Sequence, residues 1–272
     1  MKDIVYIVGT GSRWDDNELR FSMRSIAKHG HNIGRVILVG HCPEWINRDT
    51  VTVIPAVDET GRKHTNIALK IRKAIETLHL TEDFLISSDD HIYVQPVDFD
   101  NYPIYARGKI SSECQDIYNE YHRSMVETRR YLIDKGLPYY RTNPHFNTHI
   151  VPALFGSILD DILNTKTIDG IEINCVMGNT LIKQGRPFVE QSDMKVMAPK
   201  TPAEWQKIAK ANHCISLDDR CLTTDLCKWL LYHFPDESPY ECNARPVNLI
   251  DLVNPTCKRA VSFRRTRDLV RR

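Results

Sequence analysis

Phe84-Leu85-Ile86-Ser87-Ser88-Asp89-Asp90-His91-Ile92-Tyr93-Val94 is the stretch on which the reading of this chain turns. Three apolar residues, too few for a helix, predict the end of a buried strand. Two serines, two aspartates and a histidine follow before the chain turns apolar again. Adjacent carboxylates at the mouth of a core strand are costly unless a cation or hydrogen-bond donors compensate. In an open α/β sheet, ligands gather outside the carboxyl ends of the strands. A hard divalent ion, Mn²⁺ or Mg²⁺, held by one or two carboxylates, water and a substrate diphosphate suits such a place. The competing reading is a solvated Asp-Asp turn, because aspartate is at home in turns.

Toward the N-terminus, residues 3–8 (DIVYIV) have the β-branched and aromatic character of a central first strand. They open into Gly9-Thr10-Gly11-Ser12-Arg13-Trp14, a glycine loop whose backbone amides can face a phosphate or a base. Trp14 stands where the dinucleotide fingerprint has its third glycine, which argues against a hydride-transferring Rossmann domain. Asp15-Asp16-Asn17-Glu18 supplies capping and acidic first-turn residues for a helix. Leu19, Met23, Ile26 and Ala27 recur on its core face. Arg20 and Arg24, one turn apart, offer two guanidinium groups to a diphosphate; the alternative is pairing with nearby carboxylates. Strands are predicted at 35–40 and 51–54. A polar segment, 58–64, carries Gly61, Arg62 and Lys63 and leads into a helix over 65–78, with Thr65 or Asn66 as its cap. Strand, helix, strand, strand, helix, strand within residues 1–94 predicts an α/β nucleotide-binding half on a mainly parallel sheet.

Beyond Pro96 the pattern loosens. A helix is predicted over 116–135, closed by Gly136 and Pro138. Next come Tyr139 to His149, with His145 and His149 one helical turn apart. Pro144 argues against a helix there, so the run reads as a loop leading into a helix over 150–163. At that position His149 is a candidate general base, since its unperturbed pKa lies close to working pH. A structural histidine is the other reading. Gly170-Ile171-Glu172-Ile173-Asn174 opens an amphipathic segment to Ile182, and Glu172 is a second candidate base. A strand within 187–197 and a helix over 202–211 follow. His213 to Arg220 repeats the first acidic pattern: a short strand ending in Asp218 and Asp219. A helix with Leu226, Trp229, Leu230 and Tyr232 comes after it.

The whole chain has 272 residues, 42% of them apolar and 26% charged, as in an ordinary globular protein. No apolar run is long enough to span a bilayer, and the start has no signal-peptide shape. Eight cysteines form no CxxC pair, so reduced thiols in a cytoplasmic protein are the simplest expectation. From residue 256 onward seven basic residues face only Asp268, so this tail carries +6 and the rest −5. Such a tail either seeks phosphates, on nucleic acid or a membrane surface, or is a solvated terminal helix.

Taken together, several stretches resemble the Stealth proteins, which transfer sugar-1-phosphate from a nucleotide sugar and are built on a GT-A-like glycosyltransferase core. Asp3-Ile4-Val5-Tyr6 is similar to the family's opening strand, and Asn17-Glu18-Leu19-Arg20-Phe21-Ser22-Met23-Arg24-Ser25-Ile26 to its second segment. His41-Cys42-Pro43-Glu44-Trp45-Ile46-Asn47 resembles its Pro-x-Trp-Leu-Asn turn. Asn66 with Ala68 falls at its Asn-Ser-x-Ala helix start, and Ser88-Asp89-Asp90 at its Asn-Asp-Asp metal motif. His149-Ile150-Val151-Pro152 is similar to its catalytic His-x-Pro, with one residue more. Leu217-Asp218-Asp219 and the stretch from Phe234 to Glu241 resemble its last segment. The family's arginine-centred third motif is missing: no arginine lies between Arg141 and Arg186. The first loop also lacks the family's Trp-Val-Asp. An arginine in the third motif would steady a transferred phosphoryl group, so its absence favours glycosyl transfer over phosphotransfer.

The resemblance implies a single GT-A-like catalytic domain over 1–255, with 1–100 as the nucleotide-sugar half, 101–255 as the acceptor half and 256–272 as a basic tail. It implies a nucleotide-sugar donor, uridine-based, over the first sheet. Gly9, Thr10, Gly11, Asn66 and Asp89 are then candidates for holding the donor, and Arg20, Arg24 and Lys63 for neutralising its diphosphate. Asp90, together with Asp89, and Asp219 are candidate ligands of Mn²⁺ or Mg²⁺, with Asp219 closing the site, and His149 or Glu172 deprotonates a hydroxyl acceptor. Sugar-1-phosphate transfer with His149 as base is the alternative. A non-catalytic nucleic-acid-binding protein using the tail is a second, and an enzyme whose acceptor is nucleic acid combines the two.

Overall fold

A computed structural model describes residues 1–142, 148–191, 195–242, 247 and 249–253. The chain runs β1 (Lys2–Val8), α1 (Asn17–His29), β2 (Gly30–His31), β3 (Ile33–Gly40), β4 (Val51–Ile54), α2 (Lys63–Leu78), β5 (Phe84–Ser87), β6 (His91–Tyr93), β7 (Val97–Asp98) and β8 (Ile104–Ala106). It continues through α3 (Glu120–Asp134), β9 (Thr148–Ile150), α4 (Pro152–Asn164), α5 (Ile173–Lys183), β10 (Phe188–Glu190), β11 (Lys195–Val196), α6 (Pro202–Ala211), β12 (Cys214–Leu217), α7 (Thr224–His233) and α8 (Leu249–Val253).

The fold is mixed α/β around a mainly parallel sheet of order β4-β3-β1-β5-β9. The first four of these strands are parallel, and β9 closes one edge antiparallel to β5. β1 is central and covered on both faces, which is why it reads as a continuous apolar run. Its Val5 faces a layer built from α2, α4 and α5, with Ile71, Phe155 and Val176. Its Ile4, Tyr6 and Val8 face α1 through Leu19, Met23 and Ile26. A third cluster joins Trp14 and Phe21 to Ile92, Trp205, Ile215 and Trp229. There β6 pairs antiparallel with β12, and β11 lies parallel on the other side of β12.

From β1 the chain builds outward to β3 and β4, then crosses back to place β5 on the other side of β1. Strand order therefore reverses between β1 and β5, and the crevice at their carboxyl ends is the expected ligand site of an open sheet.

The structure corrects two expectations. The segment before residue 150 is not a loop at His149: Thr148–Ile150 is a strand, with His149 opposite Leu85. Pro152 then stands in the first turn of α4, where its missing N–H costs nothing, and it keeps the residue before it extended. The helix expected from 116 starts at Glu120, where the Asn119 side chain accepts the Tyr121 N–H. The basic tail and His145 lie outside the described residues.

Candidate functional site

Two loops meet at the reversal point. The loop after β1 leaves Gly9, Thr10 and Gly11 exposed. A Cβ on Gly11 would meet nothing within 4 Å, so its backbone is open to an approaching group. Trp14 turns inward and anchors the loop. Its ring stacks on Phe21 at 5.8 Å and its Nε1–H donates to the Leu252 carbonyl at 2.8 Å. Asp15 and Asp16 both adopt left-handed backbone, φ 56° and 58°, an uncommon state for non-glycine residues. Ser12 Oγ steadies this turn by accepting the Trp14 and Asp16 N–H groups at 3.2 and 2.8 Å. Asp16 Oδ2 lies 3.1 Å from His41 Nε2.

The loop after β5 carries Ser88, Asp89 and Asp90. Asp90 is compensated. Its Oδ2 accepts from Ser216 Oγ at 2.8 Å and Lys195 Nζ at 3.3 Å, and His91 Nε2 lies 3.8 Å from its Oδ1. Burial works against its ionisation, but His91, Lys195 and Ser216 more than offset that and hold its carboxyl below the usual range. Asp89 is the opposite case. Burial, then the charges of Asp90 and Glu18, push it up to about 7, against a smaller opposing effect of Lys63.

Glu18, in the first turn of α1, completes the acidic group. Burial raises its pKa, and the charges of Asp16 and Asp219 add to the rise, while the Ser12 hydroxyl bonds to it and works the other way. Its Oε2 is closed off from solvent and has no hydrogen-bond partner. A buried carboxylate oxygen in that state is costly. Sequence reasoning missed Glu18 as a site residue, because an acid in a first helical turn is first read as a partner of the helix dipole. The signal that marks it is its position one helix turn beyond a glycine loop that follows a central strand.

Asp219, from the segment after β12, reaches the same mouth. It is exposed and lies 3.6 Å from Arg13 Nε. The Leu217 N–H bonds to the Asp90 carbonyl at 3.0 Å, which draws the second acidic pair toward the first. Lys63 opens α2, is exposed, and its charge is felt at Asp89.

Other expected site residues are turned to different work. Arg24, 3% exposed, grips Glu241 through Nε and Nη2 at 2.8 and 2.9 Å and donates to the Phe234 and Pro235 carbonyls. Arg20 Nε pairs with the same Glu241 at 3.4 Å, and its guanidinium stacks over Trp45 at 4.7 Å. The two arginines therefore tie α1 to the chain's C-terminal segment and do not line the mouth. Asn66 spends its side chain on the loop before α2: Oδ1 accepts from Glu59 N, Thr60 N and Thr60 Oγ1, and Nδ2 donates to the Thr60 carbonyl.

His149 lies inside the sheet. Its Nε2 meets the Tyr102 carbonyl at 2.7 Å, and burial pushes its pKa down to about 4. A base that weak, in mid-strand opposite Leu85, is poorly matched to deprotonating a hydroxyl near pH 7. Glu172 stands at the start of α5, buried, with Oε1 3.2 Å from His64 Nδ1. The structure thus brings together Gly9, Thr10, Gly11, Glu18, Asp89, Asp90 and Asp219. It leaves Arg20, Arg24, Asn66 and His149 elsewhere.

Among the described residues no group of three or more His, Cys, Asp or Glu side chains is placed to hold a metal ion. Burial and neighbouring acids oppose the ionisation of Glu18 and Asp89, a cost that a cation would relieve, and Glu18 Oε2 lacks a partner. Asp90 Oδ2, by contrast, already has two donors. No helix among the described residues is long and apolar enough to cross a membrane. No protein-family model matches the sequence.

Proposed function

We propose that this chain is a metal-dependent glycosyltransferase of GT-A type that takes a nucleotide-sugar donor and passes the sugar to a hydroxyl acceptor. One observation carries the reading: an open glycine loop and the carboxylates Glu18 and Asp89, whose pKa values burial and neighbouring acids raise, meet where the strand order reverses, between β1 and β5. The amides of Gly9, Thr10 and Gly11 bind the nucleotide. Lys63 adds positive charge beside the diphosphate. Glu18 and Asp89 hold Mn²⁺ or Mg²⁺, which when bound neutralises charge on the leaving diphosphate. Asp90, fixed by Ser216 and Lys195, positions Asp89. The uridine base of the donor rests on the Stealth resemblance alone.

Glycosyl transfer is preferred to sugar-1-phosphate transfer for a specific reason. The phosphotransfer reading gives the proton to His149, which is buried in β9 and bonded to the Tyr102 carbonyl. A nucleic-acid acceptor recruited by residues 256–272 is compatible with this chemistry and rests on the tail's charge.

The test is turnover of a panel of UDP-sugars in Mn²⁺ and in EDTA, with product masses. UDP release that needs the ion, and products gaining a sugar without phosphate, support the reading. Products retaining a phosphate transfer the assignment to sugar-1-phosphate transfer.

A further inference from the structure

On the acceptor side of the crevice, α2, α3 and α5 bring their N-terminal turns together. The Lys63 N–H that opens α2 donates to Glu120 Oε1 in the first turn of α3 at 3.0 Å. The turn before α5 packs on α2, so that a Cβ on Gly170 would lie 3.2 Å from Thr65 Oγ1. Between these ends lies a buried pair, His64 and Glu172, 4% and 3% exposed. Glu172 is fixed at its own backbone, where its N–H donates to Thr128 Oγ1 at 2.9 Å. Tyr121 lies beside the pair, its ring 6.2 Å from that of His64, and its hydroxyl accepts from Arg141 Nη2 at 3.0 Å.

Several polar atoms of this region have unfilled hydrogen-bonding capacity. His64 Nε2, Arg141 Nε, Asn174 Oδ1 and His122 Nδ1 are all buried without a partner among the described residues. Each such atom carries a desolvation cost that a hydrogen-bonding group placed there would relieve. Tyr121, His122 and Arg141 also line a cavity of about 30 Å³, enough for a water or the tip of a hydroxyl-bearing group.

The chemistry of the pair is directional. An ionised carboxylate only accepts, so Glu172 holds the imidazole with its proton on Nδ1. Nε2 then presents a lone pair. A carboxylate that fixes a histidine in this tautomer is the arrangement by which hydroxyl groups are deprotonated in acyl-transfer triads.

We infer that His64 is the general base of the transfer, with Glu172 as its positioning residue and the Tyr121–Arg141 cluster as the acceptor subsite. The inference rests on the glycosyltransferase reading and assigns the proton to a residue that reading leaves open. The acceptor O–H proton moves to His64 Nε2 as its oxygen bonds to the anomeric carbon. The bond from that carbon to the diphosphate oxygen breaks, and its electron pair leaves with the nucleoside diphosphate.

Two measurements on the full chain decide it. Long-range ¹H–¹⁵N NMR of wild type should show His64 protonated on Nδ1 and not on Nε2, and Glu172→Gln should disturb that state. His64→Gln should bind UDP with Mn²⁺ as wild type does, yet hydrolyse or transfer the UDP-sugar at least 100-fold more slowly. A neutral His64 protonated on Nε2, or a folded His64→Gln with wild-type turnover, overturns the inference. If wild type binds UDP but turns no sugar over, the NMR result alone decides. Wild type that binds no nucleoside diphosphate with Mn²⁺ instead fails the parent reading.

Discussion

Ser88-Asp89-Asp90-His91 and Leu217-Asp218-Asp219-Arg220 look alike: each is a short buried strand running into two aspartates and a cation-forming residue. Their environments differ. Asp218 caps the turn that follows it by accepting the Arg220 N–H, and its side chain binds the Arg220 guanidinium at 2.7 Å. Asp219 stands exposed beside Arg13. In the first pair only Asp90 is compensated, and Asp89 faces Glu18 under a net repulsive field. A carboxylate whose surroundings raise its pKa to about 7 lowers stability at pH above the usual carboxylate range. The motif is therefore the same in both places, and the neighbours that tertiary structure supplies separate an acid with a raised pKa from a capped turn.

The largest expected effect extends the comparison to a fully compensated acid. Glu241→Ala strands Arg24 and Arg20 without their carboxylate and should cost about 3–5 kcal/mol, read by urea unfolding. Ser216→Ala removes a buried donor to Asp90 and should cost about 1.5–3 kcal/mol, because the bond is to a charged group.

Asp89→Asn should act in the other direction, stabilising the chain by about 1–3 kcal/mol at pH 8. The sign follows from its raised pKa. Between pH 3.8 and about 7 the unfolded chain has released this proton while the folded chain retains it, so wild-type stability falls as pH rises through that window. The substitution should remove this part of the pH dependence, as thermal melts from pH 4 to 8 will show. Asp218→Asn, losing a partner that is largely solvated, should change stability by less than about 1 kcal/mol. Its lowered pKa contributes above the usual carboxylate range and is lost as pH falls.

Much of the framework was legible in residue pattern. The strands at 51–54 and the helix at 202–211 lie where β-branched and amphipathic spacing put them. The glycine loop and the first acidic pair fall at strand ends because local chemistry dictates both. What escaped was set by distant partners. Arg24 meets Glu241 across 217 positions, and Asp90 meets Ser216 across 126. No local signal marks such pairs, so the arginines read as phosphate clamps, and the donors that hold Asp90 do not show in the sequence. β9 is three residues long, too short for alternation to show, and with Pro144 arguing against a helix His149 reads as a loop residue from sequence.

The central claim is that Glu18 and Asp89 form a metal-dependent site for a nucleoside diphosphate. Its most direct test is calorimetric titration of a nucleoside diphosphate panel into wild type, Asp89→Ala and Asp218→Ala, in Mn²⁺ and in EDTA. The account predicts binding of one nucleotide to wild type and Asp218→Ala in Mn²⁺ only, and a loss of at least 100-fold in Asp89→Ala. Equal binding by all three proteins, or binding indifferent to EDTA, would contradict it.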